Sequence, residues 1–170
     1  MILPPEFYTR DVLEIAPEIL GKKLVRIFDN GSRLELPLTE VEIYRGMEDE
    51  ACHANRGLTD RNRVMFGEGG YIYMYLVYGM HWMFNIVTGQ AGNPEALLVR
   101  GVGETIGPGR VTHLLQMDRS FYGESLFNSR RIWIEDAPSV SQYTTAPRVG
   151  IHYAGEPWLS MPWRYRVDLH

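Results

Sequence analysis

Hydrophobic and polar positions alternate, or apolar residues run together, over short segments of the kind that form β-strands. The longer segments are 23–28, 33–44, 71–78, 81–87 and 96–101, and shorter ones occur at 132–134, 148–153 and 163–167. Asn30 and Gly31 predict a tight hairpin turn between the first two segments, and Gly79 turns the third into the fourth. The pattern therefore predicts an antiparallel sheet built from hairpins.

Helical spacing is confined to two places. Apolar residues recur with a helical period between Asp11, a suitable N-cap, and Gly21, a suitable terminator. The Gly-Pro-Gly-Arg sequence at 107–110 predicts a second helix that runs to Leu115. Strand exceeds helix, so we expect an α+β fold with a curved antiparallel sheet, peripheral helices and a protruding β-hairpin. A length of 170 residues suits a single domain over 1–170.

Composition sets the compartment and the class of protein. The chain is 45% hydrophobic and 22% charged, and no uncharged apolar run is long enough to span a membrane. A lone cysteine, Cys52, agrees with a reducing compartment, so we expect a cytoplasmic protein, associated with the nucleoid if it is bacterial. The net charge of −4 argues mildly against nucleic acid as a partner, although the distribution of charge matters more.

The segment at 36–44 carries the first candidate chemistry. Alternation places Glu40, Glu42 and Tyr44 on one face of the strand, and Val41 and Ile43 on the other. Two carboxylates beside a ring are compatible with an ordinary solvated sheet face. They are also compatible with a site where one glutamate activates water next to a flat aromatic wall.

The predicted hairpin at 71–87 has an unusual tip. Tyr78, Met80, His81 and Trp82 lie where hairpins usually carry small polar residues. The body reads as an ordinary aromatic core hairpin, but an apolar tip is typical of proteins that insert a wedge into the DNA minor groove.

Three further polar residues are candidate functional residues, but their roles depend on which residues lie next to them in the fold. Asn85 and Arg100 interrupt apolar strands, and each is either a satisfied core group or a residue at a strand end. His53 lies in the polar, aperiodic loop at 48–63, a type of segment that often carries function. Neither cysteine pairs nor a His-x-x-x-His cluster occur, so we expect no metal and no cofactor.

Taken together, these segments resemble the alkyladenine DNA glycosylase family, the 3-methyladenine DNA glycosylases of the mammalian type. The matching stretches, in family order and spacing, are EVEIY (40–44), EDEACHANRG (48–57), RNRVMF (61–66), YIYMYLVYGMHWMFNIV (71–87), ALLVRG (96–101), GPGR (107–110) and PRVGIHYAGE (147–156). With their linkers they cover nearly the whole chain. The resemblance implies a monofunctional, metal-free enzyme that binds double-stranded DNA containing damaged purines. We expect it to be a monomer that does not bind membranes.

The resemblance also implies a role for each matching residue. Glu42 matches the general base and Arg100 a residue that holds the attacking water. The base pocket has aromatic walls from Tyr44, His53 and Tyr75, and Asn85 excludes guanine. The backbone amide of His53 matches a donor to the edge of the purine. The residues expected to enter the DNA are Tyr78, as the wedge, with Met80 and His81 beside it.

Two other functions remain open. A non-catalytic nucleic-acid-binding module would use the aromatic hairpin as a stacking platform. A carbohydrate hydrolase would use Glu40 and Glu42 as paired carboxylates, although side chains from one strand face project side by side rather than flank a bond.

Overall fold

Antiparallel pairing organises the structure, a computed structural model that describes residues 1–168. The strands are β1 (Lys23–Ile27), β2 (Arg33–Arg45), β3 (Ile72–Val77), β4 (His81–Thr88), β5 (Glu95–Val102), β6 (Thr105–Ile106), β7 (Ile132–Glu135), β8 (Thr144–Ala146) and β9 (Arg164–Arg166). The main order is β3-β4-β5-β2-β1-β7, with β6 on β5, β9 on β2 and β8 on β9. This confirms the predicted α+β class with an antiparallel sheet.

The helices pack against one face of the sheet. They are α1 (Pro5–Tyr8), α2 (Val12–Ile19) and α3 (Pro108–Leu114), with 3-10 turns at His53–Arg56, Arg63–Phe66 and Arg119–Phe121. Asp11 caps α2 as predicted, because its carboxylate accepts the Leu13 N–H at 2.8 Å. Within residues 1–168, no helix has the length and apolar character needed to cross a membrane.

One face of the sheet builds the main core. Val41 and Ile43 of β2 are fully buried there, together with apolar residues of α2 and α3. The opposite face carries Glu40, Glu42 and Tyr44, as alternation predicts. A loop that includes Cys52, Ala54 and Met65 covers it and forms a smaller apolar cluster. The second face therefore faces a covered space instead of bulk solvent.

Strand register aligns the candidate residues across four strands. Glu42 of β2 pairs with Leu98 of β5, Leu98 pairs with Asn85 of β4, and Asn85 pairs with Tyr73 of β3. Directly paired residues point to the same side of a sheet. Residues far apart in the sequence thus share one row on the covered face.

The predicted strands agree with the structure to within one residue at each end, except at 148–153. That prediction is wrong: the segment forms turns, and Gly150 adopts a left-handed φ of 73° that interrupts an extended strand. Instead of pairing with another strand, the backbone N–H of Val149 donates a hydrogen bond to the Glu42 side chain. The short strand β8, just before this segment, was not predicted.

Candidate active site

Glu42 lies at the centre of the covered face with its carboxylate fully buried. The Tyr44 hydroxyl donates to Oε1 at 2.9 Å, and the Val149 N–H donates to Oε2 at 2.7 Å. The Arg100 Nε lies 3.8 Å from Oε2. The solvated-face alternative for this strand is therefore wrong, because the side chains of Glu42 and Glu40 are buried.

Burial raises the pKa of Glu42, although the charge of Arg100 and the hydrogen bonds from Val149 and Tyr44 oppose the shift. Burial and the neighbouring Glu42 charge also raise the pKa of Tyr44 well above its ordinary value, so its hydroxyl stays a proton donor to the carboxylate. A carboxylate with a raised pKa inside a covered site is suited to accept a proton.

Glu40 positions Arg100, a role that sequence reasoning did not find. The pairing of β2 with β5 shifts register on both sides of Glu40. Its buried Oε2 accepts the Arg100 Nε at 2.8 Å, and Arg164 lies 3.7 Å from Oε1. Glu40 and Glu42 therefore hold one guanidinium between them and do not flank a substrate bond, which disfavours the carbohydrate hydrolase.

A narrow pocket opens beside Tyr44, whose hydroxyl donates to Glu42. It is lined by the sequence-predicted residues Tyr44, His53, Tyr75 and Asn85, together with Ala51, Met65, Tyr73, Ala96 and Tyr153. Glu42 adjoins the pocket through the Tyr44 hydroxyl. Sequence reasoning missed Tyr73 and Tyr153 as walls, although the period-two spacing of Tyr73 and Tyr75 contained a signal for the first.

His53 packs against two tyrosines at the mouth of the pocket. Its ring centroid lies 4.2 Å from that of Tyr75, and its Nδ1 lies 2.8 Å from the Tyr73 hydroxyl. Although one side of the residue is open to solvent, desolvation by the surrounding atoms lowers the pKa of His53 to about 4, helped by the charges of Arg61 and Arg56. The imidazole is therefore neutral at pH 7.

Asn85 is held in place on the floor of the pocket. It is buried, and its Nδ2 lies 3.3 Å from the Tyr73 carbonyl and 3.4 Å from the Met83 carbonyl. These contacts fix a polar amide within a mainly aromatic pocket.

The hairpin tip stands apart from the pocket. Tyr78 is 90% exposed, Met80 is 73% exposed, and His81 is also exposed. Tyr78 adopts a φ of 53°, a left-handed conformation that costs a non-glycine residue about 1–3 kcal/mol. A large aromatic residue held exposed and strained at a turn is a feature that folding alone does not favour.

Comparison with known proteins places this geometry in a family. The model of the methylpurine-DNA glycosylase family matches residues 6–106 and 103–170. This chain belongs to that family. The chain is therefore a DNA glycosylase, an enzyme that acts in DNA repair.

Relatives from distant organisms match along almost their full lengths. A protein of Methanocella arvoryzae is 40% identical, with 96% of this chain and 91% of the relative aligned. A protein of Chlorobaculum parvum is 39% identical (95% and 85% aligned), and one of Legionella pneumophila is 37% identical (97% and 93% aligned). All three carry the provisional name 3-methyladenine DNA glycosylase.

A buried ion pair locks two segments of this glycosylase together. Arg148 donates to both oxygens of Asp49, at 2.6 Å and 2.9 Å, and neither side chain is exposed. Asp49 also accepts the N–H groups of Arg45 and Ala51, so it orders the loop that leads to His53. Because Arg148 directly precedes Val149, the pair also sets the donor to Glu42.

Within residues 1–168, no group of three or more His, Cys, Asp or Glu side chains is arranged to hold a metal. The metal-free mechanism stays a prediction, which activity in excess EDTA would test.

Proposed function

We propose that this glycosylase flips alkylated or deaminated purines out of double-stranded DNA and hydrolyses their bond to the sugar. The substrates are 3-methyladenine, 7-methylguanine, hypoxanthine and ethenoadenine, and the product is an abasic site. The observation that carries the proposal is a buried carboxylate, Glu42, that accepts a hydrogen bond from Tyr44 in the wall of an aromatic pocket and has Arg100 beside it. The enzyme acts as a monomer with one domain over residues 1–170, in the cytoplasm or nucleoid where the DNA lies.

Glu42 acts as the general base. It accepts a proton from a water molecule whose oxygen attacks C1′ of the sugar, while Arg100 holds that water. The bond from C1′ to the purine nitrogen breaks, its electron pair leaves with the base, and positive charge that develops on the sugar is offset by the carboxylate.

Water is the proposed nucleophile because both lysines are engaged elsewhere, which leaves the N-terminal amine of Met1 as the one other amine candidate. A glycosylase that also cuts the strand uses an amine to form a Schiff base. The Lys22 amine lies 2.7 Å from Asp136, and the Lys23 amine lies between Glu35 and Glu135.

The pocket favours damaged purines in two ways. Methylation at N3 or N7 makes a purine cationic, and a cation gains about 0.5–2 kcal/mol from each aromatic face that it contacts. Because His53 is neutral at pH 7, the cationic base meets no like charge there. Extrusion itself also favours lesions, because a damaged or mispaired base leaves the stack at lower cost.

A panel of single-lesion duplexes tests the proposed function. Each duplex is incubated with enzyme, and release of the free base is measured alongside binding. The proposal requires release from at least one lesion and none from an undamaged duplex. Binding without release from any lesion would favour the non-catalytic module instead.

Tyr78→Ala should weaken binding to a lesion duplex by about 1–3 kcal/mol, because the gap left by the extruded base is no longer filled. Lesions in single strands need no wedge and should be affected less. Tyr143→Ala is the matched control, since Tyr143 is also exposed but stacks on Tyr165, outside the hairpin. Equal losses on duplex and single-stranded DNA would assign Tyr78 to the fold.

Asn85→Ala should increase excision of guanine derivatives relative to hypoxanthine. The amide that excludes the exocyclic amino group is removed, and a steric difference of this size changes discrimination on the order of tenfold. The measurement is release of 7-methylguanine relative to hypoxanthine. An unchanged ratio in a folded, active variant would remove Asn85 from specificity.

The acidic limb of the pH–rate profile should lie above the ordinary glutamate pKa of 4.5. The base must be ionised, so excision slows as the pH falls through the pKa of Glu42, which burial raises. His53, with a pKa of about 4, titrates nearby, so the profile is repeated in His53→Phe. A limb that disappears in that variant, or lies below 4.5, would contradict the role of Glu42.

A further inference from the structure

Most arginines of this acidic chain form ion pairs with its own carboxylates. Within residues 1–168, the arginines that form no ion pair with a carboxylate are Arg26, Arg56, Arg61, Arg110, Arg119 and Arg130. Arg26 is buried, and its guanidinium donates to backbone carbonyls such as that of Leu115. The other five are exposed, so they carry the positive charge that is available to an anionic partner.

Three of these five arginines lie along one flank of the β3–β4 hairpin. Arg56 and Arg61 line a groove that shares His53, Tyr73 and other walls with the base pocket. A second groove continues along the edge of β3, where Arg61, Trp82 and Arg119 are among its lining residues. Arg61 also donates to the Leu76 carbonyl at 2.9 Å, which holds it against the hairpin.

The fourth arginine lies on the opposite flank. Arg110 lines a groove together with His81 and Met83 of β4 and His113 of α3. Arg130 lines neither groove on the first flank nor this one. Arginines without a carboxylate partner therefore line grooves on both flanks of the β3–β4 hairpin.

The acidic groups in these grooves are already bound. The Glu50 Oε1 accepts the Gly155 N–H at 2.7 Å, and the Asp60 carboxylate pairs with Arg63 at 2.8 Å. Neither carboxylate pairs with the arginines that line the grooves beside it.

This placement matches the shape of a duplex. A wedge in the minor groove, about 6 Å wide, lies between the two sugar–phosphate backbones. A protein that inserts such a wedge thus meets phosphates on both flanks, and Arg suits them as a donor of paired hydrogen bonds.

We propose that the arginines on the two flanks of the hairpin bind the two DNA strands. Arg56, Arg61 and Arg119 contact phosphates of one strand, and Arg110 contacts phosphates of the other. The inference rests on the proposed function, because it takes Tyr78 as a minor-groove wedge. It also accounts for DNA binding by a chain with a net charge of −4.

Salt dependence of binding measures each phosphate contact. The slope of log K against log salt concentration changes by about 0.9 for each phosphate neutralised. Affinity for a short lesion-free duplex is measured over a range of salt concentrations for Arg119→Gln, Arg110→Gln and the double variant. Arg130→Gln is the control, because Arg130 is also exposed and forms no ion pair with a carboxylate within residues 1–168, but lines none of these grooves.

Each single variant should reduce the slope by about one and the double variant by about two, whereas Arg130→Gln keeps the wild-type slope. Wild-type slopes in both single variants, or an equal reduction in Arg130→Gln, would overturn the inference. Base release by the wild-type enzyme is measured separately. Reduced slopes without any base release would uphold the phosphate surface and refute the proposed hydrolysis; base release with unchanged slopes would do the reverse.

Discussion

Glu42→Gln should excise hypoxanthine about 10²–10⁴ times more slowly than the wild-type enzyme in single turnover, the usual cost of losing a general base. Glutamine cannot take the proton from water, and it cannot offset charge on the sugar. Binding to lesion DNA should persist, because it depends on the aromatic pocket, the Tyr78 wedge and phosphate contacts.

The fold should also persist in Glu42→Gln. The glutamine oxygen replaces the acceptor for the Val149 N–H, and its amide group donates to the Tyr44 hydroxyl, which has acceptor capacity. The substitution also removes the desolvation cost of a buried charge, the cause of the raised pKa of Glu42.

Glu95→Gln is the matched control for this variant. Glu95 is buried, burial raises its pKa as it does for Glu42, and its Oε1 accepts the Val12 N–H, away from the pocket. Glu40→Gln is unsuitable as a neutral comparison, because Glu40 holds Arg100. A loss smaller than tenfold in Glu42→Gln, or an equal loss in Glu95→Gln, would contradict the assignment of the base.

Arg148→Met should lower the free energy of unfolding by about 3–5 kcal/mol, because removal of one partner leaves the other as an uncompensated buried charge. The Asp49–Arg148 pair has no exposed side-chain surface. Arg148 also donates to the carbonyls of Ile43 and Trp158, and both lose a partner. Urea denaturation measures the change.

Arg63→Met provides the comparison for Arg148→Met. Arg63 pairs with Asp60 at the same kind of distance, but both side chains are mostly exposed. Such surface pairs contribute about 0–1 kcal/mol. If Arg148→Met costs no more than Arg63→Met, the buried pair does not lock the two segments.

Local pattern was enough to predict the sheet and the shared face of Glu42 and Tyr44, whereas the other pocket residues followed from the family resemblance. Period-two alternation depends on the backbone alone, so it placed Glu42 and Tyr44 on one face and Val41 on the other before any partner was known. The apolar tip at Tyr78 was visible for the same reason, since a turn has a strong compositional expectation that this sequence breaks.

The pattern of hydrophobic and polar residues could not predict contacts between segments that are distant in the sequence. Alternation gave no sign that the face of Glu40 and Glu42 is covered, because the covering loop is polar and aperiodic. The segment at 148–153 has the apolar residues of a strand, but Arg148 binds Asp49, which lies in a different loop, and Gly150 turns the chain. Tyr153 enters the pocket wall only through that turn.

The product of the reaction shows whether water is the nucleophile and whether the DNA strand stays intact. A hypoxanthine-containing duplex is reacted to completion and analysed on a denaturing gel with and without alkali, and in parallel with borohydride. Hydrolysis by water leaves an intact strand that breaks only after alkali, with no trapped adduct. Strand breaks without alkali, or a protein–DNA adduct trapped by borohydride, would contradict it.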